Sequence, residues 1–137
     1  MRVAVVYVPA GRPARLRSLA EAMAKGFEAA GHRPEVLDSS VDPARLAGFD
    51  FVAIGSEAAS AGGALPKRVA EFLGQSYGLS GKRSFAFVRK SSLRPNRLLD
   101  RLMAALEREG MRVVDSEILA DEDAAVRAAR GTPVERA

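Results

Sequence analysis

The sequence contains no cysteine and only one histidine, and these absences exclude several kinds of site. Without cysteine there is no disulfide framework, no thiolate nucleophile and no cysteine-based zinc site. The single histidine, His32, follows a predicted helix end and has no metal ligand or nucleophile near it in the sequence, so we expect it at the surface. The chain also shows no catalytic-triad pattern, no HExxH motif and no phosphate-loop lysine. The sequence therefore names no catalytic residue.

Long apolar runs are also absent. No run approaches the length that crosses a membrane, and the N-terminal apolar stretch ends at Pro9, too early for a signal peptide. We therefore expect a cytoplasmic protein that makes no membrane contact. The 137 residues suit one domain with one core. We predict a single domain over residues 1–131 and a frayed tail over residues 132–137.

The chain has no acidic excess, since 21 basic residues outnumber 17 acidic ones and give a net charge of +4. The simplest interpretation is a solvated, mildly basic surface. A basic domain favours anionic partners, so we expect an anionic small molecule or a protein partner. The charge is too small and too dispersed to predict nucleic-acid binding. Nothing in the sequence fixes the oligomeric state.

What the sequence does contain is a regular alternation of strand and helix patterns. Arg2–Val8 is a continuous apolar, β-branched run of the kind that is buried on both faces of a parallel sheet. The following residues 14–30 place Leu19, Met23 and Phe27 on one helical face. Further strands are predicted at residues 35–37, 50–54, 83–88 and from 112 toward 119, and further helices at residues 43–47, from 65, from 95 to 109 and at 124–130.

This alternation predicts right-handed crossovers and a parallel sheet that helices cover on both faces. Two sheets of this size compete, one with the flavodoxin-like strand order 2-1-3-4-5 and one that is a truncated Rossmann half. In both, a ligand binds beyond the carboxyl ends of the strands. The loops at those ends are residues 9–15, 56–64 and 89–96.

Three stretches resemble the short-chain flavodoxins. Residues 50–73, DFVAIGSEAASAGGALPKRVAEFL, are similar to the family's apolar strand, Gly-Ser turn, loop, Leu-Pro and helix. Residues 81–88, GKRSFAFV, resemble its fourth strand, and residues 26–38, GFEAAGHRPEVLD, resemble the end of its first helix and its second strand. The resemblance covers nearly the whole chain. It implies an α/β flavodoxin-like three-layer sandwich with a five-stranded parallel sheet in the order 2-1-3-4-5, and FMN as the cofactor of an electron-transfer protein.

The resemblance also implies where a flavin phosphate would bind. It would lie in the loop after the first strand, where free N–H groups and the dipole of the first helix receive an anion. Family members add hydroxyls there in a pattern similar to Ser/Thr-x-Thr-Gly-x-Thr. Of that pattern only Gly11 is present, although Arg12 and Arg15 could act as charged donors instead. The hydroxyl positions carry Val8, Ala10 and Pro13.

The two loops that would contact the flavin ring depart from the family as well. Residues 57–63 read EAASAGG and residues 89–95 read RKSSLRP, so neither loop has an aromatic residue and the second has no glycine. Because stacking supplies much of the affinity for a planar ring, FMN is possible but doubtful. The candidate ligand-binding residues of the three loops are Gly11, Arg12, Arg15, Ser56, Glu57, Gly62, Arg89, Lys90 and Ser91.

Two functional hypotheses follow. The first is a diverged flavodoxin-like domain that lacks standard FMN binding and acts as a binding or regulatory module through its strand-end loops. The second is an FMN-binding redox or electron-transfer protein with an unconventional phosphate loop. We favour the first, because hydroxyls, aromatic rings and glycines are missing together. A third hypothesis, weaker than these, is a partner of a larger flavin or oxidoreductase system.

Overall fold

A five-stranded parallel sheet in the order β2-β1-β3-β4-β5 is the centre of the molecule. This order confirms the flavodoxin-like prediction and differs from that of a Rossmann half. The structure, a computed structural model, describes residues 1–40, 43–90 and 94–135, without the side chains of residues 43–45. The strands are β1 (Arg2–Val8), β2 (Arg33–Asp38), β3 (Phe51–Ser56), β4 (Arg83–Arg89) and β5 (Arg112–Leu119).

Helices cover both faces of this sheet. They are α1 (Ala14–Ala29), α2 (Lys67–Gly74), α3 (Pro95–Arg108) and α4 (Glu122–Gly131), with a 3-10 helix over Pro43–Gly48. Helices α1 and α4 pack on one face, and α2 and α3 pack on the other. Within the described ranges, no helix is long and apolar enough to cross a membrane.

The alternation of side chains along the strands divides the interior into two apolar layers. In β1, Val3 and Val5 face α1 and α4, whereas Val6 and Val8 face the opposite layer. All four of these side chains are fully buried. Fully burying one such side chain stabilises a fold by about 1.5–3 kcal/mol, so a strand that is apolar on both sides must lie at the centre of the sheet.

Strand β3 is longer than the sequence predicted. Gly55 and Ser56, which were expected to form the turn after the strand, belong to β3 and pair with Phe87 and Val88 of β4. The reason is a tertiary contact. The Phe87 ring lies over Gly55, so that a Cβ atom there would come within 2.0 Å of the ring. Gly55 is therefore a strand residue, and its missing side chain leaves the space that the Phe87 ring occupies.

Other boundaries differ by a few residues. β2 begins at Arg33 rather than at residue 35, because Pro34 lies on an edge strand, where its missing N–H is tolerated. Helix α4 begins at Glu122 rather than at residue 124. The sequence predicts Asp121 or Asp123 as its N-cap, and the structure has Asp121, whose Oδ1 accepts a hydrogen bond from the Ala124 N–H at 2.8 Å. The sequence also predicts Asp42 as the N-cap before Pro43, and Ser91 or Ser92 as the cap of α3; all three lie outside the described residues.

The chain end beyond α4 packs against the domain as far as it is described. Val134 is 2% exposed and Thr132 is 7% exposed. Arg83 Nη2 donates a hydrogen bond to the Pro133 carbonyl at 2.7 Å. The sequence predicts a frayed tail for residues 132–137. Up to Glu135 this segment instead packs against the domain, with Thr132 and Val134 buried.

Helices α1 and α4 approach each other closely at one glycine. A Cβ atom at Gly26 would lie 2.5 Å from the Val126 carbonyl oxygen and 2.7 Å from the Ala129 Cβ. Real Cβ atoms do not approach other atoms this closely, so only glycine fits between the two helices. This contact fixes the position of α1 relative to α4.

Replacing Gly26 with alanine tests this packing, because alanine normally stabilises a helix. We expect Gly26→Ala to lower the free energy of unfolding by about 1–3 kcal/mol, since the added methyl group overpacks the interface. Gly74, the last residue of α2, is the control: a Cβ there meets nothing within 4 Å. Gly74→Ala should leave stability unchanged or raise it by up to about 1 kcal/mol. Urea denaturation measures both, and a Gly26→Ala protein as stable as the wild type would disprove the close approach.

Candidate functional site

The carboxyl ends of β1, β3 and β4 meet at one edge of the sheet, since these strands are neighbours. A depression of about 430 Å³ lies there. Its lining includes five residues that the sequence predicted as ligand-binding, and it adds only Ala14 to them. The five are Gly11, Arg12, Arg15, Glu57 and Arg89. The topology thus places residues from all three predicted loops around one depression.

The carboxylate of Glu57 joins the ends of all three strands. Its Oε2 accepts a hydrogen bond from the backbone N–H of Ala10 at 3.0 Å. Its Oε1 accepts from Nη1 of Arg89 at 2.8 Å. Glu57 is only 7% exposed, so this is a buried carboxylate held by a backbone donor and a guanidinium. The sequence placed Glu57 in the site but gave no indication of either partner.

Sheet register explains why Glu57 lies there. Ser56, the last residue of β3, pairs with Val8 of β1 and Val88 of β4. Its hydroxyl is fully buried and donates to the Val8 carbonyl at 2.8 Å. Because Glu57 is the next residue, it leaves the sheet between the loop after β1 and the end of β4. A side chain of its length reaches both.

The exposed positive charge of the depression comes from Arg12 and Arg15. Glu57 and Arg89 form an ion pair, so their charges largely cancel at the floor of the depression. Arg12 and Arg15 are exposed and have no hydrogen-bond or ion-pair partner among residues 1–40, 43–90 and 94–135. Arg17 is different, because its Nε donates to the Tyr7 hydroxyl at 3.0 Å. This hydrogen bond raises the pKa of Arg17 above its ordinary value.

The start of α1 adds a partial positive charge to the same depression. Pro13 is the N-cap residue, and it makes no side-chain hydrogen bond to the first turn. The first turn of α1 also contains no acidic residue. The N–H groups at the start of a helix lack intrahelical partners and favour an anion. The helix start and the two arginines therefore favour negative charge on the solvent side of Glu57.

The loop between β3 and α2 is held by bonds of its own. The Ala59 N–H donates to the Ala64 carbonyl at 2.8 Å, which closes the loop on itself. From α3, Arg101 Nη1 donates to the carbonyls of Gly63 at 2.8 Å and Gly62 at 3.3 Å. The predicted ligand residue Gly62 is thus tied to α3 through its backbone. Arg101 was not predicted, since its contact spans 38 residues of sequence.

The remaining predicted residues are placed as follows. Lys90 is exposed, and its backbone N–H donates to the Leu119 carbonyl at 2.9 Å. Ser91 lies outside the described residues. No aromatic side chain lines the depression among the residues described: Tyr77 is exposed in the connection between α2 and β4, and Phe49 is buried with the Arg2 guanidinium 4.6 Å from its ring centre. The depression therefore lacks a stacking surface from these residues.

Similar solved structures include flavodoxins and a flavodiiron protein. Flavodoxin 1 of Bacillus cereus has a TM-score of 0.70 at 18% identity, with 94% of this chain and 95% of that chain covered. A flavodoxin from the Archaea has a TM-score of 0.71 at 18% identity, with 95% and 94% covered. A flavodiiron protein from Giardia intestinalis has a TM-score of 0.69 at 21% identity, with 94% of this chain and 34% of that longer chain covered.

The chain has the flavodoxin-like fold. Identities this low establish a fold and leave function to the site. No protein-family model matches the sequence, and no curated protein is significantly similar to it. In this fold, the Glu57 carboxylate accepts hydrogen bonds from the Ala10 N–H and from Arg89. The function proposed below depends on these two contacts.

The Glu57–Arg89 pair should contribute measurably to stability. The two side chains are 10% and 18% exposed, so removing one partner leaves a poorly solvated charge. We expect Glu57→Gln and Arg89→Gln each to lower the free energy of unfolding by about 1–3 kcal/mol. The double variant should lose about 1–2 kcal/mol less than the sum, because the two residues interact directly.

The control is the more exposed pair of Arg68 and Glu71, whose side chains are 32% and 58% exposed and whose charged atoms are 3.7 Å apart. Glu71→Gln should change stability by less than about 0.5 kcal/mol, as expected for a surface pair. Urea denaturation of all the variants provides the measurement. A coupling energy near zero between Glu57 and Arg89 would contradict the buried ion pair.

Proposed function

We propose that this protein is a flavodoxin-like binding or regulatory domain that does not hold FMN in the standard way. Its ligand is an anionic small molecule or an acidic protein partner that binds at the carboxyl edge of the sheet. The observation that carries the proposal is the hydrogen bond from the Ala10 N–H to Glu57. A backbone donor of the phosphate loop is already used by a carboxylate of the chain itself.

Charge repulsion is the first argument against a phosphate in that loop. A phosphate monoester carries a charge of about −1.5 to −2 at neutral pH. Two unit charges of the same sign 4 Å apart repel by about 4 kcal/mol in surroundings of intermediate polarity, and for Glu57 the ion pair with Arg89 offsets part of this repulsion. A phosphate beside Ala10 would meet the carboxylate of Glu57, which is 7% exposed and therefore poorly screened by solvent. The residues present thus do not fit the phosphate group in the family's position.

The second argument is that no described side chain replaces the hydroxyls and the aromatic ring that the family uses to hold FMN. The family's hydroxyl positions are Val8, Ala10 and Pro13, and the nearby hydroxyl of Ser56 donates to the Val8 carbonyl. No aromatic ring lines the depression within the described residues, and Arg101 holds the loop that would supply one. A flavin would therefore lose both its phosphate donors and its stacking partner.

The features that remain favour a different anion. Arg12 and Arg15 are exposed beside the uncapped start of α1. Guanidinium groups bind carboxylates and phosphates through several N–H donors at once. Because these groups lie on the solvent side of Glu57, they can bind an anion that stays outside the loop. This supports recognition of a carboxylate or phosphate group at the surface.

A second candidate function is an FMN-binding redox protein with an unconventional phosphate loop. The flavodoxin-like fold itself favours it, and so does Gly11, which is exposed and has open space around its Cα. In this alternative, backbone N–H groups and Arg12 or Arg15 hold the phosphate. It requires the Glu57 carboxylate, which Arg89 also holds, to give up its hydrogen bond from the Ala10 N–H.

Titration with FMN distinguishes the two candidates. We expect no saturable quenching of flavin fluorescence when FMN and protein are mixed at tens of micromolar, and no retention of FMN on ultrafiltration. Glu57→Gln removes the repelling charge while keeping the side-chain length, so weak FMN binding by that variant alone would support the role given to Glu57. Saturable binding by the wild type, weakened by Arg12→Ala, would refute the proposal and favour the redox protein.

Inorganic phosphate tests the anion site directly. We expect millimolar phosphate to shift the backbone amide NMR signals of Gly11, Arg12, Ala14 and Arg15, because this segment carries both arginines and the start of α1. Arg12→Gln and Arg15→Gln together should abolish the shifts. Unchanged spectra of the wild type at all phosphate concentrations would contradict anion recognition at this edge.

A further inference from the structure

A second depression adjoins the first on the side of α4. It has a volume of about 410 Å³ and shares Ala14, Arg15 and Arg89 with the first. Arg89, at the end of β4, lies between Glu57 after β3 and Leu119 at the end of β5. The second depression is therefore a groove between the starts of α1 and α4, directed away from the β3–α2 loop. We call it the α1–α4 groove.

The groove is amphipathic along its length. Its floor is apolar, with Leu19 of α1 and Leu119 of β5, which are 6% and 2% exposed. Arg15 gives one end positive charge, and the guanidinium of Arg89, which is paired with Glu57, lies at the same end. At the other end the exposed acids Asp121 and Glu122 start α4, and Asp121 also caps that helix.

We propose that the α1–α4 groove binds a small organic anion, a carboxylate or phosphate monoester with a short apolar body. The anionic group lies beside Arg15 and Arg89, and the apolar body covers Leu19 and Leu119. This inference rests on the proposed function for anion recognition at this edge. It adds the class of the ligand and the direction in which the ligand extends.

Charge complementarity selects this class of ligand. The two guanidinium groups favour one anionic group at their end of the groove. The carboxylates of Asp121 and Glu122 repel a second anionic group at the other end, which disfavours dicarboxylates and longer polyphosphates. The volume of about 410 Å³ lies in the range typical of small-molecule sites, about 300–1,000 Å³. The ligand is thus a small molecule with one anionic group.

The apolar floor gives the proposal a measurable signature. Each methylene group that is buried in the groove should raise affinity about fourfold. Affinity should therefore increase along the series acetate, butyrate and hexanoate. An anion held only by exposed arginines would show no dependence on chain length. Hexyl phosphate compared with hexanoate shows which anionic group is preferred.

Four variants locate the ligand. Ala120 is exposed and lines the groove but not the first depression, so Ala120→Trp should fill the groove and abolish hexanoate and hexyl phosphate binding. Arg15→Gln should weaken both ligands about fivefold. Arg12→Gln tests binding beside Gly11 instead, since Arg12 lines only the first depression, and it should weaken binding less than Arg15→Gln does. Arg127→Gln is the matched control, because Arg127 is exposed on α4 and lines neither depression, and it should change affinity less than about twofold. Calorimetry measures affinity, and amide NMR spectra verify that each variant is folded.

The outcomes separate this inference from the proposed function. Binding of hexanoate or hexyl phosphate that Arg12→Gln weakens and Ala120→Trp leaves intact would overturn the groove and keep the anion site beside Gly11. Binding of hexan-1-ol as tight as that of hexanoate would also overturn the inference, because the arginines would then play no part. Absence of binding by hexanoate and hexyl phosphate overturns the groove alone if inorganic phosphate still shifts the amide signals of the segment from Gly11 to Arg15, and overturns both proposals if it does not.

Discussion

The central strands β1 and β3 are apolar on both faces, and this constraint decides where polar chemistry can occur. From Val3 to Val8 and from Phe51 to Ser56 no side chain is more than 5% exposed. A polar group inside this region needs a partner within the protein, and the one at its end, the Ser56 hydroxyl, donates to the Val8 carbonyl. Charged side chains can enter only where the strands end. The carboxyl edge therefore collects Arg89, Glu57 and the start of α1 as a consequence of how the core is built.

The sequence was sufficient for the parts of the fold that depend on local patterns. A continuous apolar, β-branched run identified β1, and apolar residues at helical spacing identified α1. Strand order came from the family resemblance and agrees with the structure. The extent of β3 could not be read locally, because Gly55-Ser56 has the composition of a turn and is held in the strand by the Phe87 ring.

The contacts within the candidate site could not be predicted from local sequence either, because they join residues that are far apart in the chain. Glu57 is 47 residues from Ala10 and 32 residues from Arg89, so only the strand order brings them together. The sequence could propose Glu57 and Arg89 as neighbours of a ligand, because both follow strands. It could not show that the two bind each other. Nor could it reveal the α1–α4 groove, which depends on how closely two helices pack.

The edges of the sheet show a separate set of constraints. On β5, Asp115 and Glu117 lie in register with Phe85 and Phe87, so two carboxylates occupy one face of an exposed edge strand. A second copy pairing antiparallel there would bring like charges close together. The opposite edge, β2, contains Pro34, which cannot donate a backbone hydrogen bond. Both edges thus discourage the strand addition that leads to aggregation.

The internal carboxylate of Glu57 also changes how the domain depends on its surroundings. A loop that is completed by a dissociable cofactor gains stability by mass action, in proportion to the logarithm of the cofactor concentration. A carboxylate tethered in the same chain acts instead at a fixed effective concentration, set by the covalent connection. Glu57 already binds the Ala10 N–H and Arg89. The carboxyl edge of the sheet therefore becomes ordered when the chain folds. The loop after β1 is thus held by contacts within the chain itself.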